Sequence, residues 1–508
     1  MRIQDIAYIA LFAALTAVLG LIPKVDPGFI PVPITAQTLG LMLAGSILGA
    51  KRGAASQALP GRLRLRGNID YFSDVTVQQT YQQDIYNASL RQRGFSANVS
   101  GNWRAYSVSG TVQRNETFYG ETNSYVTGGL PRVTVSRSAQ RIGSLPLVFG
   151  VGGEFVRLVH GTRQGDAPFV NQGLTRIDVM PQLRVPFTRW KFLPMDAYVA
   201  FRETWYSESL EGGVRVPEPI HRQYVRMGGS VTGPVLTRIW NTPTRDYAEK
   251  FKHVVEPNVS FERITLIKND ANIIKFDGLD YIVGGTTRVT YGVTTRLIAK
   301  RREGPSASNA REILSGSVAQ TYYTDARASQ YDFSYTTSFS SRPPSNYSPI
   351  SISVRAAPTG RLSAQLRMEY DPEIGAFQSI STTGTYSAGN WLQASGGWST
   401  RRLASHTAFF RADNYVNGGV NLRTAGNRVG GAYAFNYDLG QRTLLQNRFL
   451  VYYNAQCCGF AVEYQAFNFP KAYTRFAVNQ DRRFNFSVTL AGLGTFSNLF
   501  GAFGGTAR

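Results

Sequence analysis

The chain contains little cysteine and little histidine for its length. Its only two cysteines among 508 residues are adjacent, Cys457 and Cys458, so a disulfide-rich scaffold is excluded. The four histidines are widely separated and have no metal-motif spacing. A nucleotide-binding glycine loop and a Gly-x-Ser-x-Gly nucleophile motif are also lacking. We therefore expect no catalytic residue, cofactor or metal ion, and predict that the protein is not an enzyme.

Lysine is also scarce, although the formal net charge is +21. Most of the basic residues are arginines, whose guanidinium groups suit phosphate or carboxylate partners. A hydrated surface combined with a coding bias toward arginine is the alternative interpretation. The basic residues form no compact block and match no nucleic-acid-binding motif. We therefore expect no nucleic acid partner and leave an anionic lipid open.

Long apolar runs occur only within residues 1–58. One extends from Ile6 to Ile22 and a second from Thr38 to Ala50, close to the roughly 17–25 residues that a membrane helix needs. A signal peptide is the alternative for the first run. However, only Arg2 precedes it as a positive charge, and no small-residue cleavage pattern follows it. We therefore predict a short α-helical membrane hairpin.

Three segments of this hairpin resemble the start of the BioY family, the biotin-binding membrane component of energy-coupling-factor transporters. They are residues 10–20 (ALFAALTAVLG), 32–40 (VPITAQTLG) and 48–53 (LGAKRG). The resemblance implies biotin uptake at the inner membrane. The later helices of that family are not found in the rest of the sequence.

From residue 59 onward the pattern changes to a period of two. Apolar and polar residues alternate through residues 106–113, 350–355, 361–370 and 484–490, as expected of strands with one apolar and one polar face. A soluble β-sandwich would also alternate. The pattern continues without a helical segment, and aromatic pairs such as Tyr322-Tyr323, Phe409-Phe410 and Tyr452-Tyr453 occur near strand ends. We therefore predict an all-β fold over residues 59–508, a large antiparallel transmembrane β-barrel of about two dozen strands.

Several dispersed motifs of residues 62–503 are similar to the LptD family, the outer-membrane proteins of lipopolysaccharide assembly. They occur in the family's order: residues 202–206 (RETWY), 231–238 (VTGPVLTR), 252–257 (KHVVEP), 291–297 (YGVTTRL), 320–323 (QTYY) and the pair Cys457-Cys458. The resemblance implies a barrel in the cell outer membrane that inserts lipopolysaccharide into the outer leaflet. It also implies a lateral opening between the first and last strands.

The same resemblance implies protein partners. They are an LptE-like lipoprotein that plugs the barrel, and an LptA-like periplasmic bridge that docks on an N-terminal jelly-roll domain. In the family, cysteines of that domain bond to the C-terminal pair. Here the BioY-like hairpin stands in place of the jelly-roll, so we predict that Cys457 and Cys458 are free thiols. Two inert strand cysteines are the alternative.

The two resemblances belong to different membranes, and we interpret their junction near residues 56–61 as a chimeric fusion introduced by genome assembly or gene prediction. A genuine fusion, or an apolar segment reused for export, is the alternative. Lipopolysaccharide transport is the leading functional hypothesis. Biotin uptake and a porin-like pore are the competing ones.

Overall fold

The computed structural model describes residues 63–72, 91–119, 123–165, 167–187, 189–190, 192–244, 246–302, 308–338, 343–402, 413–468, 481–490 and 494–497. The hairpin predicted for residues 1–58 and the pair Phe409-Phe410 lie outside these residues. No helix in the described part is long and apolar enough to cross a membrane.

The described chain is almost entirely β-structure, as predicted. Its two 3-10 helices are η1 (Asp270–Asn272) and η2 (Ala326–Tyr331). Its strands are β1 (Leu63–Asp70), β2 (Gln92–Trp103), β3 (Tyr106–Phe118), β4 (Ser124–Arg141), β5 (Val148–Arg163), β6 (Thr175–Phe187), β7 (Met195–Tyr206), β8 (Ser209–Glu211), β9 (Val214–Val216), β10 (Ile220–Thr232), β11 (Leu236–Asn241), β12 (Lys250–Ile264), β13 (Thr287–Arg302), β14 (Ser308–Tyr323), β15 (Ile350–Ala356), β16 (Leu362–Asp371), β17 (Ala376–Ala388), β18 (Leu392–Arg401), β19 (Asp413–Arg423), β20 (Val429–Asp438), β21 (Thr443–Asn454), β22 (Cys458–Phe467), β23 (Asp481–Leu490) and β24 (Gly494–Ser497).

One antiparallel sheet contains 22 of these strands, and β8 and β9 form a separate hairpin. Each strand of the sheet pairs with the next along the chain, so the connectivity is a meander. The order is interrupted at one place: β7 pairs with β10, and both β10 and β11 pair with β12. Among the described residues, β1 pairs with β2 alone and β24 with β23 alone.

The two faces of the sheet differ sharply in polarity, and β6 shows the rule. Its exposed apolar side chains are Ile177, Val179, Leu183, Val185 and Phe187. The intervening Arg176 and Asp178 point to the other face and are buried. We call the face with the exposed apolar residues the outer face and the other the inner face. A soluble β-sandwich buries its apolar face, so this arrangement disagrees with the sandwich alternative.

The connections differ between the two ends of the strands, because successive antiparallel connections alternate between the ends. Residues 104–105, 389–391, 424–428 and 455–457 are short turns at one end, which we call the short-turn rim. Residues 164–174, 207–219, 265–286 and 324–349 are longer and lie at the other end, the long-loop rim. Two of these long connections fold back against the inner face.

Candidate functional site: the polar interior and its two inner loops

The connection between β12 and β13, residues 265–286, packs against the inner face, and we call it the first inner loop. Ile273, next to η1, is buried in a cluster with Val156, Leu158, Leu174 and Tyr206 of the β5–β7 region. This small apolar cluster lies beside the polar side chains of the inner face. It fixes the loop across three neighbouring strands.

Arg176 of β6 is the main electrostatic anchor of the first inner loop. Its side chain is 1% exposed. Its Nη2 donates to Glu154 at 2.9 Å, and its Nη1 donates to Asp277 at 2.8 Å and to Asp280 at 2.9 Å. Asp280 also accepts a hydrogen bond from the Tyr206 hydroxyl at 2.8 Å. A buried charge is tolerated only when it is paired and hydrogen-bonded, as it is here.

Asp277 lies in the loop and faces the same guanidinium group. Burial opposes its ionisation, but the hydrogen bonds and positive charge of Arg176 outweigh burial and hold the pKa of Asp277 below its ordinary value. Arg132 adds a further positive charge at 3.6 Å. The loop is therefore attached most firmly while Asp277 is ionised.

A second buried arginine, Arg222 of β10, holds the backbone of the same loop. It donates to the carbonyl oxygens of Leu279 at 3.0 Å and Asp280 at 3.3 Å. Its guanidinium also lies 5.6 Å from the ring centre of Tyr206 and 5.8 Å from that of Tyr224. Backbone carbonyls and aromatic faces thus stabilise a cation that is fully buried.

Other arginines of the inner face are paired with carboxylates of adjacent strands. Arg202 donates to Asp178 at 2.8 Å, and Arg226 donates to Glu262 at 2.6 Å. Arg288 lies 3.1 Å from the same Glu262. Together with Arg132, Glu154 and Arg176, these residues form what we call the inner charge belt. Because its arginines have carboxylate partners, the belt mainly joins strands and loops.

The connection between β14 and β15, residues 324–349, also folds inward, and we call its described part the second inner loop. Asp332 accepts a hydrogen bond from the Tyr323 hydroxyl at 2.6 Å. Glu369 of β16 accepts from the backbone amides of Thr336 at 2.7 Å and Thr337 at 3.1 Å. The loop is thus tied to strands on both sides of it.

The two inner loops contact each other and line an open cavity of about 380 Å³. Tyr281 of the first loop stacks on Tyr331 of the second, with ring centres 5.4 Å apart. Arg226, Glu262 and Arg288 line the cavity from the strands. The long-loop rim is therefore partly covered from inside by two mutually supporting segments.

The inner face of β15–β19 has a different chemistry. Side chains that share this face by register are mostly hydroxyls and amides. They include Ser353, Ser363, Gln365, Ser381, Thr383, Thr385, Ser395, Ser399, Asn417 and Asn421. Many of them are exposed to solvent. The same face also carries charged residues, among them Arg355, Arg367 and Glu369. We use the name neutral wall for its hydroxyl and amide groups alone, which can donate to and accept from other hydroxyl-rich molecules.

The predicted site residues Cys457 and Cys458 lie at the short-turn rim, Cys457 in the turn after β21 and Cys458 as the first residue of β22. The backbone amide of Ala455 donates to the Cys458 carbonyl at 2.7 Å, which closes the turn. The two Sγ atoms lie 3.2 Å apart, without a disulfide bond between them. That both thiols are free stays a prediction.

The interior contains residues that the sequence does not mark as buried. Ser345 and Ser348 are buried in the second inner loop. Tyr323, from an aromatic pair near a strand end, points inward and is 1% exposed. Nothing in the local sequence distinguishes a loop that folds inward from one that extends outward.

Comparison with known families supports two separate parts. Residues 1–60 match the model of the BioY family. Residues 270–414 match the model of the family described as LPS transport system D. Both resemblances inferred from the sequence are thereby confirmed, the second over a narrower range than residues 62–503. The matches do not overlap, which is consistent with a chimeric fusion.

The curated relatives match only the first part. The chain is 59% identical to the biotin transporter BioY of Rhizobium etli over 54 residues, which cover 11% of this chain and 29% of that protein. It is 54% identical to the probable biotin transporter BioY of Bacillus subtilis over 57 residues, covering 11% of this chain and 31% of that protein. The chain therefore spans less than a third of these relatives.

Solved structures with some likeness include two transporters. The FrpB iron transporter from Neisseria meningitidis has a TM-score of 0.33 at 11% identity, covering 86% of this chain and 76% of that one. The copper transporter OprC has a TM-score of 0.35 at 12% identity, covering 87% and 74%. The family match over residues 270–414 and the continuous antiparallel meander support an outer-membrane β-barrel.

Proposed function

We propose that this protein is an outer-membrane β-barrel that transports lipopolysaccharide and inserts it into the outer leaflet. The observation that carries the membrane location is the polarity of the sheet. Large apolar side chains such as Phe201, Phe261 and Phe449 are exposed on the outer face, while Arg176, Asp178 and Glu262 are buried on the inner face. Hydrocarbon is the solvent that stabilises such an outer face.

The two rims support an orientation in that membrane. Outer-membrane barrels have short periplasmic turns and longer extracellular loops. We therefore place the short-turn rim, with Cys457 and Cys458, in the periplasm, and the two inner loops at the cell surface. This orientation puts the cysteine pair where an LptA-like bridge would approach. An LptE-like plug is the further partner that we propose.

The neutral wall supports passage of a sugar chain. Hydroxyl and amide groups exchange hydrogen bonds with saccharide hydroxyls, while the paired arginines of the charge belt are occupied by carboxylates. We propose that the sugar chain follows the neutral wall and that the lipid leaves sideways between the first and last strands. Such transport needs no catalytic group in this chain.

Site-specific photo-crosslinking in Gram-negative cells tests this proposal. A benzophenone amino acid replaces Thr383 on the neutral wall, and the control carries it at Arg428 on the short-turn rim. We expect a lipopolysaccharide adduct at Thr383 and a much weaker one at Arg428. Equal adducts, or no adduct together with free ion conductance in planar bilayers, would favour a porin-like pore instead.

Biotin uptake is the second candidate function, because residues 1–60 match the BioY family. It would require specific biotin binding by inner membranes that contain the chain. Labelled biotin binding to separated inner and outer membranes distinguishes the two proposals. Binding confined to inner membranes that contain the chain would support uptake, and its absence there would count against it.

A further inference from the structure

The short-turn rim carries a strand that leaves the main ladder. β10 and β11 follow one another along β12, but Gly233 and Pro234 separate them. Gly233 has a φ of +114°, a conformation open mainly to glycine, and Pro234 has no amide hydrogen to donate. Two backbone hydrogen bonds join this segment to the β6–β7 connection. The Thr232 amide donates to the Pro194 carbonyl at 3.0 Å, and the Val235 amide donates to the Phe192 carbonyl at 3.1 Å.

Beyond this break, β11 forms an edge. Its six residues pair with β12 from Leu236 opposite Val255 to Asn241 opposite Lys250. In the described part of the chain β12 is its sole partner strand, and all six residues are exposed. The other edge of β11 therefore presents backbone donors and acceptors to solvent.

The strands behind β11 make this edge rigid. β12 pairs with β13 along the strand as far as Lys250 opposite Lys300. At this rim β13 also pairs with β14 as far as Arg302 opposite Ser308, farther than the pairing of β14 with β15 extends. The turn before β12 is held as well, because the Tyr247 hydroxyl donates to the Pro358 carbonyl. A preorganised edge loses little conformational entropy when another strand adds to it.

The surface around this edge is positively charged. Lys250 and Lys252 are exposed and lie opposite Asn241 and Ile239 of β11. Arg238 of β11 lies 5.4 Å from the ring centre of Trp240 and stays at the surface. Two carboxylates of β12 and its preceding turn are already engaged, with Glu249 2.8 Å from Lys300 and Glu256 2.5 Å from Arg296.

We propose that β11 is a docking edge for an extended, acidic segment of a partner protein, which adds to the sheet as a further strand. Six residues offer roughly 20 Å of edge. Backbone hydrogen bonds would supply affinity, and acidic side chains on the same face as Lys250 and Lys252, across β11 from them, would supply specificity. A second copy of this chain is disfavoured, because two such basic edges repel each other. The proposal does not depend on lipopolysaccharide transport.

Peptide binding to the full folded chain in detergent tests the proposal. The probe is a dye-labelled, end-capped peptide of alternating glutamate and valine, followed by fluorescence anisotropy. We expect saturable binding that K250E/K252E weakens by about tenfold, as estimated for two reversed surface charges. The matched control R361E/R428E reverses two exposed charges on the same rim and should leave the affinity unchanged.

Two further measurements separate strand addition from simple charge attraction. Methylating alternate backbone nitrogens of the peptide should abolish binding, and the bound peptide should slow amide hydrogen exchange in residues 236–241. Equal binding of the methylated peptide, equal binding by K250E/K252E, or no binding to the folded chain would overturn the proposal. Heat-modifiable gel mobility confirms that each variant is folded.

Discussion

Replacing Arg176 by methionine tests whether this guanidinium holds the first inner loop against the sheet. The change leaves Glu154, Asp277 and Asp280 without their shared partner in the interior. Breaking a buried ion pair on one side costs about 3–5 kcal/mol. About 1.4 kcal/mol corresponds to a factor of ten in an equilibrium constant. A loss of about 3 kcal/mol, the lower end of this range, therefore raises the population of the open loop roughly 100-fold.

Limited trypsin digestion of the folded protein measures this opening, because Lys268 and Lys275 lie within the first inner loop. When the loop recloses faster than it is cut, the cleavage rate follows the open population. The control is R184M on the same strand: Arg184 is 53% exposed and pairs with Asp196 at 3.2 Å, a contact that contributes about 0–1 kcal/mol. Equal cleavage of the two variants would refute the assigned role of Arg176.

The remaining predictions concern the membrane surface, pH and the thiols. V462R, on the outer face in the middle of β22, should destabilise the barrel in lipid by about 2–4 kcal/mol. A461R, on the inner face, should change the free energy of unfolding little. Urea titration followed by gel mobility compares the two variants. Burial raises the pKa of Asp277 and Arg176 lowers it, with a net lowering. Loop docking should therefore weaken as the pH falls from about 4 downward. Amide protection factors of residues 265–286, which correct for the intrinsic pH dependence of exchange, should fall with pH in the original chain and change less in D277N. Maleimide should label both Cys457 and Cys458 in the folded protein, and two blocked thiols would contradict the prediction.

The polarity of the strands could be predicted from the sequence. Leu362, Leu366 and Met368 alternate with Arg361 and Arg367, and the structure has β16 over Leu362–Asp371. Alternation is a local property, because successive side chains of a strand point to opposite faces whatever the strand pairs with. The family matches at residues 1–60 and 270–414 depend on the order of residue types along the chain, so both resemblances are also visible in the sequence.

The partners of the buried charges could not be predicted in this way. Arg176 and Asp277 are 101 residues apart, and only the folding of residues 265–286 onto β6 brings them together. The exposed edge of β11 likewise depends on where β7 begins, which the six residues of β11 do not encode.

The sequence by itself therefore determined a period-two, antiparallel β-protein with adjacent cysteines. The tertiary structure decided which connections fold inward, which arginines are neutralised by carboxylates, and that the two cysteines lie at the junction of a turn and β22. The physical reason is that strand periodicity arises from backbone geometry within a few residues. Charge pairing and loop burial arise from contacts between distant segments, which exist only once the sheet has formed.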